Sequence, residues 1–347
     1  MKGRRGTMAM AGAAMSRPDT RISQADSGTL FRFMSVMATN VTRLDAHQVA
    51  IRVAGRKFDA LTCPLSKELT MYKTILVHVD ASPRLGARVE AAARLAIAND
   101  AHLTGVAPTG LSAFMFPLSA MDAGMPPIAF PVAEIRAEAE RSLDLFDSVA
   151  RRAGLNAPER LLVDEEIGAG LCLQARYADL LVVSPAAGDP RPFARHDVTQ
   201  YVLLHCARPV LVLPAAGAIG AIGQRVTVAW NGSAEAVRAI TSALPLLRKA
   251  VQVDLVVVAG KDSPERYGEQ PGADIALYLA RHGVEVALNV VRGGDDDGES
   301  LLSFAADKGA DLIVMGAFGH SRFREFVLGG ATRTALRSSP IPLWMAH

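Results

Sequence analysis

The sequence predicts an α/β protein built from two tandem copies of one fold, each a doubly wound, five-stranded parallel sheet. From Met71 onward, short β-branched runs alternate with amphipathic stretches, which is the pattern of parallel strands joined by crossover helices. The same order of segments occurs twice, and a chain of 347 residues has the length of about two domains. Half of the residues are hydrophobic, so each copy can bury its own core.

The repeat is visible at both ends of the two copies. Asp80 closes the first strand of the first copy, and Asn231 stands at the matching position 151 residues later. The fourth strand begins at Asp179 in the first copy and again at Asp311 in the second. We therefore predict a first half, a linker rich in glycine and alanine, and a second half, which span 71–214, 215–224 and 225–347.

Five strands are predicted in each half. Those of the first half begin near Lys73, His102, Arg160, Asp179 and Pro209. Those of the second half begin near Val226, Val251, Val284, Asp311 and Ile341. Right-handed crossovers on such a sheet place the ligand crevice beyond the carboxyl ends of the strands.

The helix after each first strand is predicted to begin with a capping serine. In the first half, Ser82 is expected to cap a helix whose first turn contains Pro83. Ser233 is the corresponding cap in the second half. A long helix is predicted over 134–153, and a shorter one over 273–282 takes its place in the second half.

The N-terminal segment, residues 1–70, fits neither half. It carries 11 Lys and Arg against 5 Asp and Glu, a net charge of +6, whereas the remainder of the chain has a net charge of −4. Because it sustains neither helical nor strand periodicity, we expect a disordered extension or an upstream start codon with the working start at Met71. The body has no basic excess, so nucleic acid is not an expected partner.

An uncharged stretch of nineteen residues, 103–121, is long enough to span a membrane. Glycine and proline interrupt it repeatedly, and a helix broken in this way would leave backbone groups unsatisfied in lipid. We interpret it as a strand ending near Val106, followed by an irregular apolar loop over 110–131. Such a loop is either a lid over a site or a surface that binds a partner.

The three cysteines, Cys63, Cys172 and Cys206, are odd in number and widely spaced. This pattern predicts buried apolar residues in a reducing compartment rather than disulfides or a metal site. The acidic run at 295–297 begins a predicted helix and is interpreted as a complement to the helix dipole. No catalytic motif of a hydrolase, redox enzyme or dehydrogenase is present, so no catalytic or metal-binding residue is predicted.

The strongest chemical signal follows the fourth strand of the second half. Gly316 and Gly319 stand three residues apart at its carboxyl end, and Gly329 and Gly330 precede the next helix. Glycine allows a close backbone approach to a ligand, and the free N–H groups of a helix N-terminus bind anions. We expect a phosphate between the two turns. Additional side-chain donors are expected from the loop and the helix at His320, Ser321 and Thr332.

The spacing of Gly316, Gly319 and Gly329 resembles the glycine motif of the universal stress protein family. The resemblance covers both halves, about 71–347, and is to the tandem bacterial type. It implies a universal-stress, adenine-nucleotide-hydrolase-like fold, a cytoplasmic stress-response role and dimerisation through the last strand. One subset of the family binds ATP, and there an acidic residue after the first strand contacts the adenosine. The resemblance therefore also implies possible ATP binding in this chain.

The first half matches that pattern only at Asp80. Its counterparts of Gly316 and Gly319 are Ser184 and Ala187, and the counterpart of Gly329 is His196 or Asp197. The first half is therefore expected not to bind ATP in the manner of the family. The second half keeps the glycines but has an amide at the acidic position and no hydroxyl beside the third glycine. The residues expected to contact the nucleotide there, ATP accompanied by Mg²⁺, are Asn231, Gly316, Gly319, His320, Gly329, Gly330 and Thr332.

These observations predict a stress-response binding protein with an adenine-nucleotide site in the second half. An alternative is a nucleotide-independent interaction protein that acts through the 110–131 loop and the edges of the two final strands. A weak ATPase is the third hypothesis. The final strands, 209–213 and 341–345, are expected to pair within the chain as a built-in dimer, and a homodimer through the same strands is a further expectation. Trp344 is expected at that interface.

Overall fold

A computed structural model describes residues 51–52, 72–111, 131–185, 198–259, 271–294, 296–318 and 330–347. These residues form one sheet with helices on both faces. The strands are β1 Ile51–Arg52, β2 Thr74–His78, β3 His102–Pro108, β4 Glu159–Val163, β5 Leu180–Val183, β6 Val210–Val212, β7 Arg225–Ala229, β8 Gln252–Ala259, β9 Ala287–Arg292, β10 Leu312–Gly316 and β11 Leu343–Ala346. The helices are α1 Leu85–Asn99, α2 Val132–Arg152, α3 Ile167–Ala175, α4 Val198–His205, α5 Ala234–Leu247, α6 Ala273–Arg281, α7 Asp297–Asp307 and α8 Gly330–Ser338.

Each half has the doubly wound arrangement that the sequence predicts. The strand order is β6-β5-β2-β3-β4 in the first half and β9-β8-β7-β10-β11 in the second, with parallel pairing throughout each set of five. The long helix and its shorter counterpart are also confirmed.

One strand begins later than predicted. Val284 was expected to open a strand, but β9 begins at Ala287. The residues before it finish α6, because Gly283 takes a positive φ of 76° and the Val284 N–H donates to the carbonyl oxygen of Leu279 at 3.0 Å.

The two halves join through their final strands. β6 and β11 pair antiparallel, with Leu211 opposite Trp344. This confirms the built-in pairing, and it overturns the expectation that these strands offer free edges to a homodimer or another partner. Each of them already has a hydrogen-bonded neighbour on both sides, because β5 flanks β6 and β10 flanks β11.

Trp344 lies at this junction, as predicted. Its side chain is fully buried, and Nε1 donates to the hydroxyl of Ser242 at 3.0 Å. The indole packs against the ring of Tyr72 with 5.2 Å between centroids. The Tyr72 hydroxyl donates to the carbonyl oxygen of Ser242 at 2.8 Å, so residues of both halves share one buried cluster.

Alternate residues of the strands fill two apolar cores, one on each face of the sheet. The first core contains Ile75 and Val77 together with α1, α2, α5 and α6, and it extends through both halves. The second contains Leu76 and residues of α3, α4, α7 and α8. The period of two along β2 therefore sets which helices each strand residue supports.

Several sequence predictions concern parts of the chain that the structure describes only in part. Of residues 1–70, Ile51–Arg52 is described, as a short strand antiparallel to β9. Residues 112–130 of the apolar loop lie outside the described residues, and β3 ends at Pro108 rather than near Val106. Among the described residues, every helix is too short or too polar to cross a membrane.

The cysteines are not all far apart in space. Cys63 lies outside the described residues, but Cys172 on α3 and Cys206 at the end of α4 belong to the same apolar cluster and share a hydrogen bond between their thiols. The prediction of buried apolar cysteines is confirmed for Cys206, whereas Cys172 is only partly buried. Their sequence separation concealed the contact because α3 and α4 pack side by side on one face of the sheet.

Candidate functional site

The predicted crevice lies where the strand order reverses in the second half. β7 has β8 on one side and β10 on the other, and all three strands run parallel. The connections after β7 and β10 therefore leave toward opposite sides of the sheet, which opens a space beyond their carboxyl ends. Asn231 follows β7 by two residues and Gly316 ends β10, so the structure places these predicted site residues at the same edge.

Gly316 is held against the start of α5. A Cβ at this position would lie 2.6 Å from the backbone nitrogen of Ala236 and 2.8 Å from the carbonyl carbon of Glu235. Real Cβ atoms do not approach backbone so closely, and only glycine lets strand and helix meet here. The floor of the crevice is therefore formed by the end of β10 and the first turn of α5.

The first turn of α5 is capped as the sequence predicts. The Ser233 hydroxyl oxygen accepts from the Ala236 N–H at 3.1 Å. The side-chain oxygen of Asn231 accepts from the Ser233 N–H at 3.1 Å, so Asn231 stabilises the turn that leads into the helix. Asn231 is partly buried and lies in the turn that connects β7 to α5.

The connection after β10 starts with a left-handed residue. Phe318 has a φ of +63°, a conformation that costs energy for a residue with a side chain. Its N–H donates to the hydroxyl oxygen of Thr332 on α8 at 3.2 Å. Thr332 is buried, and its hydroxyl thus holds the first residues after β10 beside the N-terminus of α8.

Three predicted contact residues, Gly319, His320 and Gly329, lie outside the described residues. Gly330 is described as the first residue of α8, and a Cβ there would have no heavy atom within 4 Å. Among the described residues, nothing near Gly330 demands glycine, so the position has room there for the serine or threonine that the motif usually carries.

Helix α8 is fixed by its neighbour α7. The Thr334 hydroxyl donates to the carboxylate of Asp296 at 2.5 Å, and the other oxygen of Asp296 accepts from the Gly298 N–H at 2.7 Å. The Thr334 hydrogen bond, opposed by burial and aided by backbone donors, lowers the pKa of Asp296. Asp296 is the N-cap of α7, which confirms that the acidic run begins a helix.

His347 is a neighbour of the site that the sequence did not reveal. Its Nδ1 lies 3.0 Å from the carbonyl oxygen of Ala317, and its ring meets the ring of Phe318 nearly at right angles, with centroids 5.9 Å apart. It follows β11 directly, so only the pairing of β11 with β10 brings it here. No spacing rule in the sequence links positions 317 and 347.

Glu235 contributes negative charge at the same edge. Burial alone would raise its pKa, but hydrogen bonds from its own N–H and from Ser233, together with the charges of Arg238 and His347, lower the pKa below its usual range. Glu235 therefore remains ionised at neutral pH. No group of three or more metal-binding side chains occurs within the described parts of the chain.

The corresponding edge of the first half has a different structure. Asp80 follows β2, and its carboxylate lies 2.5 Å from Nη2 of Arg88, whose side chain is only 1% exposed. Burial would raise the pKa of Asp80, but the charges of His78 and Arg88 and hydrogen bonds from Ser82 and Arg88 lower it to about 2. Asp80 is the residue that the family pattern assigns to adenosine, but here its carboxylate is paired with the guanidinium of Arg88.

The prediction that Ser82 caps the first helix is wrong. Ser82 donates its hydroxyl to the Asp80 carboxylate at 2.7 Å, and α1 begins only at Leu85, without a side-chain cap. The Ser82 N–H also donates to the Asp80 carboxylate, at 3.2 Å, so Asp80 holds Ser82 in the turn before the helix. Ser184 stands where the second half has Gly316.

The comparisons with known proteins agree with the fold. The model of the universal stress protein family matches residues 71–214 and 223–347. A curated universal stress protein of Synechocystis sp. is 31% identical over 124 residues, which cover 34% of this chain and 41% of that relative. The aligned part thus spans less than half of the relative's length.

Solved structures show the same similarity. A universal stress protein from Archaeoglobus fulgidus DSM 4304 has a TM-score of 0.61 at 17% identity, covering 79% of this chain and 95% of its own. A universal stress protein described as a complex with cAMP is 23% identical, with a TM-score of 0.32, and covers 42% of this chain and 100% of its own.

Proposed function

The chain belongs to the universal stress protein family, and from that premise we propose that its second half binds an adenine nucleotide at the carboxyl ends of β7 and β10. The proposed domains are those predicted from the sequence, 71–214 and 225–347 with a linker at 215–224. The proposed role is that of a stress-response binding protein rather than an enzyme.

The hydrogen bond from the Phe318 N–H to Thr332 carries this proposal. It holds the start of the glycine loop against the first turn of α8, so residues 316–318 and the helix N-terminus lie side by side. A phosphate in this place would meet the free backbone N–H groups at the N-terminus of α8, together with the positive end of the helix dipole. The proposed role of four glycines is to let the main chain approach the nucleotide closely: Gly316, Gly319, Gly329 and Gly330.

Side chains complete the proposed site. Asn231 replaces the acidic residue of the family pattern and is proposed to meet the nucleoside, because an amide both donates and accepts hydrogen bonds. Thr332 accepts from Phe318 and still has a hydroxyl proton to donate. His320 is proposed as a phosphate contact. Mg²⁺ would enter with ATP, with phosphate oxygens and water as its ligands.

The first half is proposed to bind no nucleotide in this way. Asp80 is already paired with the buried Arg88, and Ser184 replaces the glycine at the strand end. A cytoplasmic location belongs to the same proposal, and the free thiols of Cys172 and Cys206 are consistent with a reducing compartment.

Calorimetric titration of the full chain with MgATP, ADP, cAMP and GTP tests the proposal. We expect the adenine nucleotides to bind and Gly329→Glu to abolish binding, since it places a carboxylate beside the phosphates. Gly330→Ser should increase affinity about fivefold, because one added hydrogen bond contributes about 1 kcal/mol. Gly220→Ser is the matched control, because a Cβ at Gly220 also meets nothing within 4 Å.

The alternatives make different predictions in the same titration. No heat change at millimolar nucleotide would reject the nucleotide site and favour an interaction protein acting through the 110–131 loop. ADP accumulating above the buffer background would instead reject the binding-only function and favour a weak ATPase.

A further inference from the structure

Helices α3 and α4 pack closely because α3 has a glycine, Gly168, where the two helices meet. A Cβ at Gly168 would lie 2.4 Å from Cδ1 of Tyr201, so the Tyr201 ring rests on the surface of α3. Both helices connect parallel strands of the same sheet by crossovers, α3 from β4 to β5 and α4 from β5 to β6, and therefore run in the same direction. About one turn further along each helix, the facing residues are Cys172 and Cys206.

The side on which each cysteine lies supports this pairing. Cys172 follows Gly168 by four residues and is on the same face of α3 as the buried Leu171. The N–H of Cys206 donates to the carbonyl oxygen of Val202 at 2.8 Å, which continues the buried face of α4 through Cys206. Both thiols are free and belong to one apolar cluster.

The two thiols interact within this cluster. A hydrogen bond between them raises the pKa of Cys172 and lowers the pKa of Cys206. Burial opposes the lowering at Cys206, while the N–H and the charge of Arg208 assist it. Cys206 is 8% exposed and Cys172 is partly exposed, so a small oxidant has access to the pair.

We propose that Cys172 and Cys206 form a reversible intramolecular disulfide on exposure to hydrogen peroxide, which makes the contact between α3 and α4 a redox-modification site. This proposal is independent of nucleotide binding. The second half has Phe304 and Ser339 at the matching positions, so the site belongs to the first half alone.

The chemistry has two steps. The Cys206 sulfur attacks one peroxide oxygen, the O–O bond breaks, and the departing hydroxide takes up a proton to become water, leaving a sulfenic acid. The Cys172 sulfur then attacks the Cys206 sulfur, the S–O bond breaks, and a second water leaves as the disulfide forms. Two thiols and one peroxide thus yield one disulfide and two waters, with two electrons passing from sulfur to oxygen. A dithiol reductant reverses the reaction.

Mass spectrometry of the full chain in a Cys63→Ser background tests the proposal, since that change removes the only other thiol. After peroxide treatment, we expect a loss of two hydrogen atoms per chain and two fewer alkylatable thiols. Dithiothreitol should restore both. A peptide digest should contain a cross-link between the segments that carry Cys172 and Cys206.

Single serine variants separate the two roles. In Cys172→Ser, Cys206 should stop at the sulfenic acid and be trapped by dimedone. In Cys206→Ser, the oxidation rate of the remaining thiol should fall by about tenfold or more, because the more acidic thiol has been removed. Circular dichroism checks that both variants fold, and the cross-linked peptide of the parent chain tests the pairing even if they do not.

Two results would overturn the proposal. One is that both thiols remain alkylatable at a peroxide concentration that fully oxidises glutathione. The other is a disulfide that joins two chains, seen as a dimer on a non-reducing gel whose amount rises with protein concentration.

Discussion

Replacing Gly316 with alanine tests the close contact between β10 and α5. The added Cβ would lie 2.6 Å from the Ala236 nitrogen and 2.8 Å from the Glu235 carbonyl carbon, and neither backbone atom can turn aside. Relief requires the first turn of α5 to shift or unwind, with loss of the Ser233 cap. A lost cap costs about 1 kcal/mol and overpacking costs about 1–3 kcal/mol. We therefore expect the free energy of unfolding of the second half to fall by about 2–4 kcal/mol.

Urea denaturation followed by tryptophan fluorescence measures this change, because Trp230 and Trp344 both belong to the second half and the chain has no other tryptophan. Gly330→Ala is the control, since its Cβ meets no atom within 4 Å and alanine favours a helix by up to about 1 kcal/mol. If Gly316→Ala proved no more destabilising than Gly330→Ala, the packing explanation would be refuted. Nucleotide affinity should fall with the displaced turn, and calorimetry can follow it in the same variants.

Two further predictions concern the ends of the first strands. Ser233→Ala should lower the free energy of unfolding by about 1 kcal/mol and Ser233→Gly by only a few tenths, because glycine is tolerated as an N-cap; equal losses in urea denaturation would contradict the capping role. Because the pKa of Asp80 falls from 3.8 to about 2 on folding, the stability it contributes is present above pH 3.8 and is lost as the pH falls toward 2. The loss should be about 2 kcal/mol, and Asp80→Asn should abolish this slope in unfolding measured against pH; an unchanged slope would assign it to other carboxylates.

The order and type of the elements could be predicted because they depend on local pattern. Short β-branched, apolar runs marked β2 and its repeat β7, and the duplication allowed each half to check the other. The pairing of β6 with β11 was also predictable, since two apolar final strands would otherwise remain unpaired.

What sequence reasoning missed depends on contacts between distant residues. Ser82 and Ser233 carry the same local signal, but only Ser233 caps a helix, because the Ser82 hydroxyl donates to the Asp80 carboxylate whereas the Ser233 hydroxyl oxygen accepts from the Ala236 N–H. His347 reaches Ala317 only through the pairing of β11 with β10. Likewise, the spacing of Cys172 and Cys206 could not show that α3 and α4 lie side by side. The nucleotide contacts of the glycine loop remain predictions.

The antiparallel seam between β6 and β11 places both copies of the fold in one polypeptide. Two separate single-copy chains would pair only to the extent that their concentration allowed, whereas here the partner strand is supplied by the same molecule at any dilution. In an assembly of identical subunits, every mutation of the gene also appears in all of the subunits. In this chain one copy has the Asp80–Arg88 pair and the other has Asn231 and Ala239 at the matching positions. Covalent duplication thus allows the two copies to carry different residues at the same position of the fold, which a symmetric assembly of identical chains cannot do.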